Sequence, residues 1–237
     1  MRFALSFVVA AIIVGPLIGL PKRKRILVYS AAILSQFVYL LGMYLGWHGA
    51  VWAAFAVQMQ RCTLAFVLFS IVMFMGVLSE SSRIRNRLAP IRQQLSILAC
   101  VFTFGHIGYY LPSYLLRIGS INKVTIGISL ALSILLAIML IVLLATSLSL
   151  VKKHMNGTAW KRVQRLAYPF YLLISLHAAC FLLPSALAGN AIAIEGELLY
   201  GCSAIAFFAL RLRRAFFSRR TEKPFFDAQD ALVQDSR

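Results

Sequence analysis

The chain has 237 residues, of which 61% are apolar and 13% are charged, and its mean hydropathy is +0.82. Soluble domains are nearer half apolar and a quarter charged, so this composition indicates an integral membrane protein. The net charge of +17 does not indicate nucleic-acid binding, because the basic residues form short blocks between apolar segments, as topology determinants do. The four cysteines form no CxxC or CxxCH motif, which excludes a thioredoxin-like motif and covalent haem attachment.

Seven apolar segments predict membrane-spanning helices, each of which needs about 20 residues to cross. The fold class is therefore all-α, a polytopic bundle of about seven transmembrane helices. Glu195 and Glu197 shorten the last apolar run, so the full crossing of the seventh span is left open. The predicted spans are residues 3–20, 26–46, 62–79, 95–116, 126–150, 166–187 and 192–212.

Lys and Arg alternate strongly between the two sides of this bundle. Of the 24 basic residues, 20 lie in segments 21–25, 80–94 and 151–165 and from residue 211 onward. The positive-inside rule places these segments in the cytoplasm, with the N-terminus outside and the C-terminus inside. A bacterial inner (plasma) membrane is the predicted location, since no eukaryotic sorting signal is visible.

The predicted spans divide the chain into four parts. Residues 1–60 hold two N-terminal spans and an outer segment, and residues 61–187 form a four-helix core. Residues 188–214 contain the C-terminal span. Residues 215–237 mix charges of both signs and are expected to be a mostly disordered cytoplasmic tail.

Two of the four histidines lie deep inside predicted spans. His106 and His177 each lie twelve residues past the end of a basic inner segment. With a helical rise of about 1.5 Å per residue, both reach the same level, about 18 Å in. His48, at the outer end of the second span, is expected at the interface, and His154, among inner lysines, is expected in solvent.

Imidazoles at one depth on two helices can hold a haem between helices four and six through two axial ligands. The alternative is that each histidine only forms a hydrogen bond to a neighbouring helix. Gly105 and Gly108 beside His106 would let a porphyrin approach the backbone. The aromatic residues expected on its faces are Phe102, Phe104, Phe170 and Phe181.

Few cations are available on the outer side for the propionates of such a haem. Arg61 opens the third span and Arg117 closes the fourth, and Lys123 follows in the same outer loop. Arg61 and Arg117 are therefore candidate propionate partners. The alternative is that each anchors a helix end at the membrane interface.

Several short motifs, in order, resemble the ferric reductase-like transmembrane domain family, nearest to the haem-binding membrane subunit of the bacterial methionine-sulfoxide reductase system. The resemblance covers residues 61–185. The motifs are RCTLA from Arg61, APIRQQL from Ala89, LACVFTFGH ending at His106, LATS from Leu144, AWKRVQRLAY from Ala159 and LLISLH ending at His177.

The resemblance implies a b-type haem, ligation by His106 and His177, and electron transfer across the membrane. Family members often carry a further histidine about 13 residues before the second ligand, where this chain has Gln164. Gln93 stands at the matching distance before His106. Glutamine is a poor haem ligand, so one haem b is expected, and an inner haem is expected to be absent or held differently. A flavin or a quinone at the inner face, near Trp160, Arg162 and Gln164, is one way to fill that gap.

The sequence thus predicts a membrane b-type cytochrome that passes electrons to an extracytoplasmic partner or acceptor. Its electron donor would be a flavin reductase or a quinol, and the chain would be an electron-transfer subunit rather than a complete enzyme. A transporter or channel is an alternative from a different class. It is disfavoured because broken helices and mid-span acidic residues are not evident. A non-redox assembly subunit of a membrane complex is the third possibility.

Overall fold

The computed structural model describes the backbone of residues 2–117 and 124–234, and the side chains of residues 3–21, 23–116 and 127–216. Within these residues the chain is helical, with short 3-10 segments and turns between the α-helices and no strand. The all-α prediction is therefore confirmed. Polar caps mark two interfacial helix starts, where Ser82 and Asn156 accept hydrogen bonds from the backbone N–H groups of Arg85 and Thr158.

Eleven α-helices follow one another along the described chain. The first six are α1 (Arg2–Gly19), α2 (Arg25–Tyr44), α3 (Ala50–Gln60), α4 (Thr63–Met75), α5 (Arg83–Leu88) and α6 (Arg92–Arg117). The remaining five are α7 (Val124–Ser147), α8 (Ser149–Lys152), α9 (Gly157–Gln164), α10 (Ala167–Leu187) and α11 (Ala191–Gln234).

Five helices are long and apolar enough to cross a membrane, and they correspond to the second, fourth, fifth, sixth and seventh predicted spans. Their ranges are Arg25–Tyr44, Arg83–Leu116, Gly127–Ser147, Gly157–Leu187 and Ala191–Phe216. The first predicted span is an apolar helix, Phe3–Gly19, that is shorter than the other five. A membrane protein with several spans is thus shown, and the exact number of seven stays a prediction.

The third predicted span is part of a broken pair of helices. Helices α3 and α4 together are long enough to cross, but their axes differ by 50° at residues 61 and 62. The segment between the second and third predicted spans is partly helical, because Ala50–Gln60 continues the apolar run as a helix after Gly49, whose φ of 112° only glycine adopts readily. The expectation that no helix is broken was wrong for the same reason.

The core has three connected parts. The largest joins α1, α2, α3, α4 and α6 around the fully buried Tyr39, Leu95 and Leu98. A second, aromatic part joins α4, α10 and α11, and a third joins α6, α7 and α10. Helix α4 therefore lies at the centre, and α6 and α10 both pack against α4 on one side and α7 on the other.

The C-terminal segment is a single helix, α11, which runs from Ala191 to Gln234. Arginine, alanine and glutamine within it are good helix formers. The disordered tail expected over residues 215–237 stays a prediction. Residues 235–237 lie outside the described chain.

Helices α2 and α6 approach each other at Gly105. A Cβ atom on Gly105 would lie 2.9 Å from Cδ of the buried Gln36. We therefore expect Gly105→Ala to displace the Gln36 amide and to lower the free energy of unfolding by about 1 kcal/mol through overpacking, since the displaced atoms are the end of a flexible side chain.

Thermal unfolding in detergent, followed by circular dichroism, measures this change. Adding Gln36→Ala should recover part of the loss, because it removes the overlapping amide. Gly15→Ala is the control, since nothing lies within 4 Å of its added methyl group. An unchanged transition for Gly105→Ala would contradict this packing.

Candidate functional site

His106 lies on α6, half-buried, and its ring nitrogen Nδ1 is 2.6 Å from the backbone carbonyl oxygen of Gln60. A carbonyl oxygen only accepts hydrogen bonds, so the imidazole must carry its proton on Nδ1 and donate it. The ring also packs against Tyr110, one turn further along α6, with ring centroids 5.0 Å apart. The orientation and the tautomer of His106 are thus both fixed by its neighbours.

The carbonyl that holds His106 is available because of the break between α3 and α4. Cys62 has φ 57° and ψ 20°, which is the left-handed region, and it is the one non-glycine residue in the described chain with positive φ. The last carbonyls of α3 therefore have no helical N–H partner from α4. The carbonyl of Gln60 accepts a hydrogen bond from His106, and the carbonyl of Arg61 accepts one from the Tyr200 hydroxyl at 3.4 Å.

His177 lies half-buried on α10, with Nδ1 3.4 Å from the hydroxyl oxygen of Ser133 on α7. The Ser133 hydroxyl donates its own proton to the carbonyl of Ser129 at 2.7 Å, so it is an acceptor toward His177. His177 is therefore also protonated on Nδ1. Its other neighbour is Phe181, whose ring centroid is 5.1 Å away.

The two imidazoles lie on α6 and α10, which both pack against α7. They are near enough that a positive charge on one ring would affect the other. In the described part of the chain neither Nε2 atom has a hydrogen-bond partner, and both are held as unprotonated ring nitrogens. An unprotonated imidazole nitrogen is the kind of donor that a haem iron takes from histidine, so both residues have the chemistry of candidate ligands.

No other metal-binding arrangement stands out. The described side chains contain no group of three or more His, Cys, Asp or Glu residues that could hold a metal ion. His48 is exposed, as expected, and the exposed His154 bonds through Nδ1 to the carbonyl of Leu150 at 2.8 Å.

Of the two arginines proposed as propionate partners, Arg61 has a described side chain and Arg117 does not. Arg61 is exposed at the end of α3, within electrostatic range of the phenols of Tyr110 and Tyr200. The neighbouring residue Gln60 accepts the hydrogen bond from His106, so Arg61 is adjacent in sequence to the residue that holds the histidine. The side chain of Arg117 lies outside the described residues, as does Lys123.

The two glycines beside His106 face a neighbouring helix, whereas the sequence suggested that they make room for a porphyrin. Gly105 faces Gln36 and Gly108 faces Leu40, both on α2. The space beside these glycines is therefore filled by α2, and the glycines allow two helices to approach.

Only one of the four phenylalanines expected on the haem faces contacts a histidine ring. Phe181 packs against His177. Phe102 and Phe170 are buried in two different parts of the core, and Phe104 is 40% exposed on the surface of α6.

At the inner end, the polar motif residues meet the C-terminus of α7. The side chain of Gln164 donates to the Thr146 hydroxyl at 2.8 Å, and the indole N–H of Trp160 donates to the Thr146 carbonyl at 2.8 Å. Gln93 donates from α6 to the carbonyl of Ser147 at 2.8 Å. These amides fix three helices to one another, which gives Gln164 a structural role beside its predicted place in a cofactor site.

Two cavities lie away from the histidines, on the side of α3 that faces α1 and α2. The first has a volume of about 350 Å³ and is lined by apolar side chains of α1, α3 and α6 with Ser35 and Gln58. The second, about 520 Å³, opens between α2 and α3 beside Trp47 and Trp52. Phe102, one of the phenylalanines expected on the haem faces, lines the first cavity, and neither cavity includes His106 or His177.

Three contributors to the site escaped prediction from the sequence. Gln60 acts through its backbone, and a carbonyl has no signature in a sequence. Ser133 is one of several serines in α7, and only its place opposite His177 distinguishes it. Tyr200 is 139 residues away from Arg61, whose carbonyl it contacts.

The chain is similar to an uncharacterized protein of Treponema pallidum (strain Nichols). The two are 33% identical over 181 residues, an alignment that covers 73% of this chain and 50% of that protein. The chain thus spans about half the length of the curated relative it matches. No family model matches the chain, and no solved structure matches it.

The left-handed residue at the break between α3 and α4 can be tested by substitution. An L-residue in this conformation costs about 1–2 kcal/mol, which glycine does not incur. Cys62→Gly should therefore leave the thermal stability of the protein unchanged. The relief of backbone strain should offset the loss of the contact between Sγ and the Thr103 hydroxyl at 3.6 Å.

Cys62→Val should lower the stability by about 1–3 kcal/mol, because a β-branched side chain is most strained in the left-handed region. The matched control is Cys202→Val on the exposed face of α11, which should change little. If Cys62→Val is as stable as the unaltered protein, the break does not have this conformation.

Proposed function

We propose that the protein is a membrane b-type cytochrome of the ferric reductase-like class, in which one haem b is held by His106 and His177. One observation carries the proposal. Two imidazoles on different helices lie within electrostatic range, and each has Nδ1 bonded and Nε2 available. Ionisable side chains inside membrane spans are rare and usually functional. The motif order along residues 61–185 supports the same conclusion.

The residues around the histidines have defined roles in this proposal. The Gln60 carbonyl and the Ser133 hydroxyl hold the Nδ1 protons, orient the rings and raise the basicity of Nε2. Arg61, on the same turn as Gln60, would neutralise a propionate at the outer end. Arg117 is proposed for the second propionate from the sequence alone.

When bound, haem supplies one-electron chemistry, and the chain supplies its ligands, its burial and the tuning of its potential. Electrons would leave toward an extracytoplasmic partner or acceptor. The donor would be a flavin reductase or a quinol at the inner side, where Arg162 is exposed and Trp160 and Gln164 are bonded to α7. The location proposed for this assembly is a bacterial inner membrane.

One observation favours a transporter as the second candidate. Broken helices supply backbone groups to substrate sites in many transporters, and α3 and α4 form a broken pair. Against this, the carbonyls of Gln60 and Arg61 at the break already accept hydrogen bonds from His106 and Tyr200. Solute flux in proteoliposomes made without haem would favour transport.

The first test is a dithionite-reduced minus oxidised absorption spectrum of the purified protein. The unaltered chain should show a low-spin b-type spectrum, which His106→Ala and His177→Ala should each abolish, because each removes one axial ligand. His48→Ala is the control, since His48 is exposed outside the bundle core. A colourless protein produced with ample haem would refute the proposal.

A second test concerns the hydrogen bond from Ser133 to His177. Ser133→Ala removes the acceptor of the Nδ1 proton, so the imidazole donates less electron density to oxidised iron. The midpoint potential should then rise by some tens of millivolts while the haem stays bound. Ser96→Ala on the exposed face of α6 is the control, and redox titration of both variants makes the comparison. A fall in potential would contradict the assigned donor and acceptor roles.

A further inference from the structure

The segment between α7 and α10, residues 148–166, forms a compact structure here termed the inner hairpin, which contains α8 and α9. It carries five Lys and Arg residues and His154, and no acidic residue. All six of these side chains are exposed to solvent or to the membrane surface. The cations of the inner hairpin are Lys152, Lys153, Lys161, Arg162 and Arg165.

The inner hairpin is held rigidly on the end of α7. Trp160 and Gln164 are both bonded to Thr146, and the ammonium group of Lys152 lies 4.5 Å from the centroid of the Trp160 ring. Asn156 caps the start of α9. Because these contacts fix the backbone, the Cα positions of the exposed cations are set without a ligand, and binding costs side-chain entropy but little backbone entropy.

The position of the inner hairpin brings its cations to the membrane surface. It connects two helices that are long and apolar enough to span, so it cannot lie far from the headgroups. Leu148, Leu150 and Leu166 are exposed among the cations, at 40%, 65% and 39%. Exposed leucines beside lysines and a tryptophan are the pattern of a segment that rests in the interface.

The charges near the inner hairpin are also positive. Gln93 bonds to Ser147, which places the exposed Arg92 of α6 beside the hairpin. Glu80 has its described partners elsewhere, at 3.2 Å from Arg85 and 3.8 Å from Arg214. The described cations of the hairpin make no ion pair with another described side chain.

We propose that the inner hairpin is a binding surface for anionic phospholipids, in which Lys153, Lys161 and Arg162 contact headgroup phosphates while the exposed leucines enter the acyl region. Basic residues near a membrane surface favour anionic over neutral lipid. Rigid placement of the cations beside Trp160 makes the surface a local site, in addition to the general bias of inner loops toward positive charge. This inference does not depend on haem binding.

Trp160 provides a local probe for this site. A double variant, Trp47→Phe and Trp52→Phe, leaves Trp160 as the single tryptophan. This variant is reconstituted in proteoliposomes of phosphatidylcholine that contain a minor fraction of brominated lipid. The bromine atoms, near the glycerol end of the acyl chain, quench indoles in contact with that lipid. Should the doubly substituted protein fold poorly, the difference between unaltered protein and Trp160→Phe isolates the same signal.

Brominated phosphatidylglycerol should be enriched at Trp160 about fivefold over brominated phosphatidylcholine in about 0.1 M salt, and the preference should vanish in about 1 M salt. Removing three cations of the hairpin should make the two brominated lipids quench Trp160 equally. Removing three cations from other inner segments should leave the preference for phosphatidylglycerol unchanged. The hairpin variant is Lys153→Gln, Lys161→Gln and Arg162→Gln, and the control is Arg23→Gln, Lys24→Gln and Arg83→Gln.

Equal quenching by the two lipids would overturn the proposal. An acidic protein would then be the remaining candidate partner of this surface. Equal loss of preference in the hairpin and control variants would also overturn it, since the effect would then reflect total charge. Millimolar inorganic phosphate is added as a competitor. If it abolishes the preference, the site binds a soluble phosphate rather than a lipid surface.

Discussion

The hydrogen bond from His106 to the Gln60 carbonyl depends on a break in a helix, and much of the bundle is arranged around that break. In a membrane interior, a backbone carbonyl without a partner costs several kcal/mol, so a broken helix persists only where other groups satisfy it. Here His106 from α6 and Tyr200 from α11 do so. The break therefore ties three parts of the bundle to one point, and it positions the histidine in return.

Helices in lipid gain little from the hydrophobic effect on association, because lipid tails are as apolar as leucine. Close packing and polar contacts must hold them together instead. The Ser70 hydroxyl bonds to the Tyr171 hydroxyl at 2.7 Å, and the Ser175 hydroxyl donates to the Tyr200 carbonyl at 3.1 Å. Phe66 stacks on Tyr171 at 5.6 Å between ring centroids. These contacts join α4, α10 and α11, which fixes the level of His177 relative to the break.

The inner ends of the helices are joined by different chemistry. Gln93 and Gln164, which occupy the positions where an inner pair of ligands was considered, both donate to the last turn of α7. A glutamine amide can satisfy a helix C-terminus, where carbonyl groups have no N–H partner. Histidines held by a carbonyl and a hydroxyl in one part of the bundle, and amides that clamp the end of α7 in another, give the two parts different hydrogen-bonding patterns.

The sequence predicted most of the large-scale features because they depend on composition and period. Long apolar runs and the alternation of basic segments indicate spans and sidedness whatever the tertiary contacts are. The choice of His106 and His177 also followed from the sequence, because equal spacing from two basic segments means equal depth in two helices. The packing role of Gly105 was not visible, since the same glycine suits a cofactor or a neighbouring helix.

By itself, then, the sequence determined an all-helical membrane protein and singled out His106 and His177 as a pair predicted to share a depth. Only the tertiary structure decided that Ala50–Gln60 forms part of a broken pair of helices, that the Gln60 carbonyl and Ser133 hold the two rings, and that Gln164 clamps α7. The physical reason is that hydropathy is a property of single residues summed along the chain. Carbonyl acceptors, left-handed breaks and contacts such as Tyr200 with Arg61 arise only between segments that folding brings together.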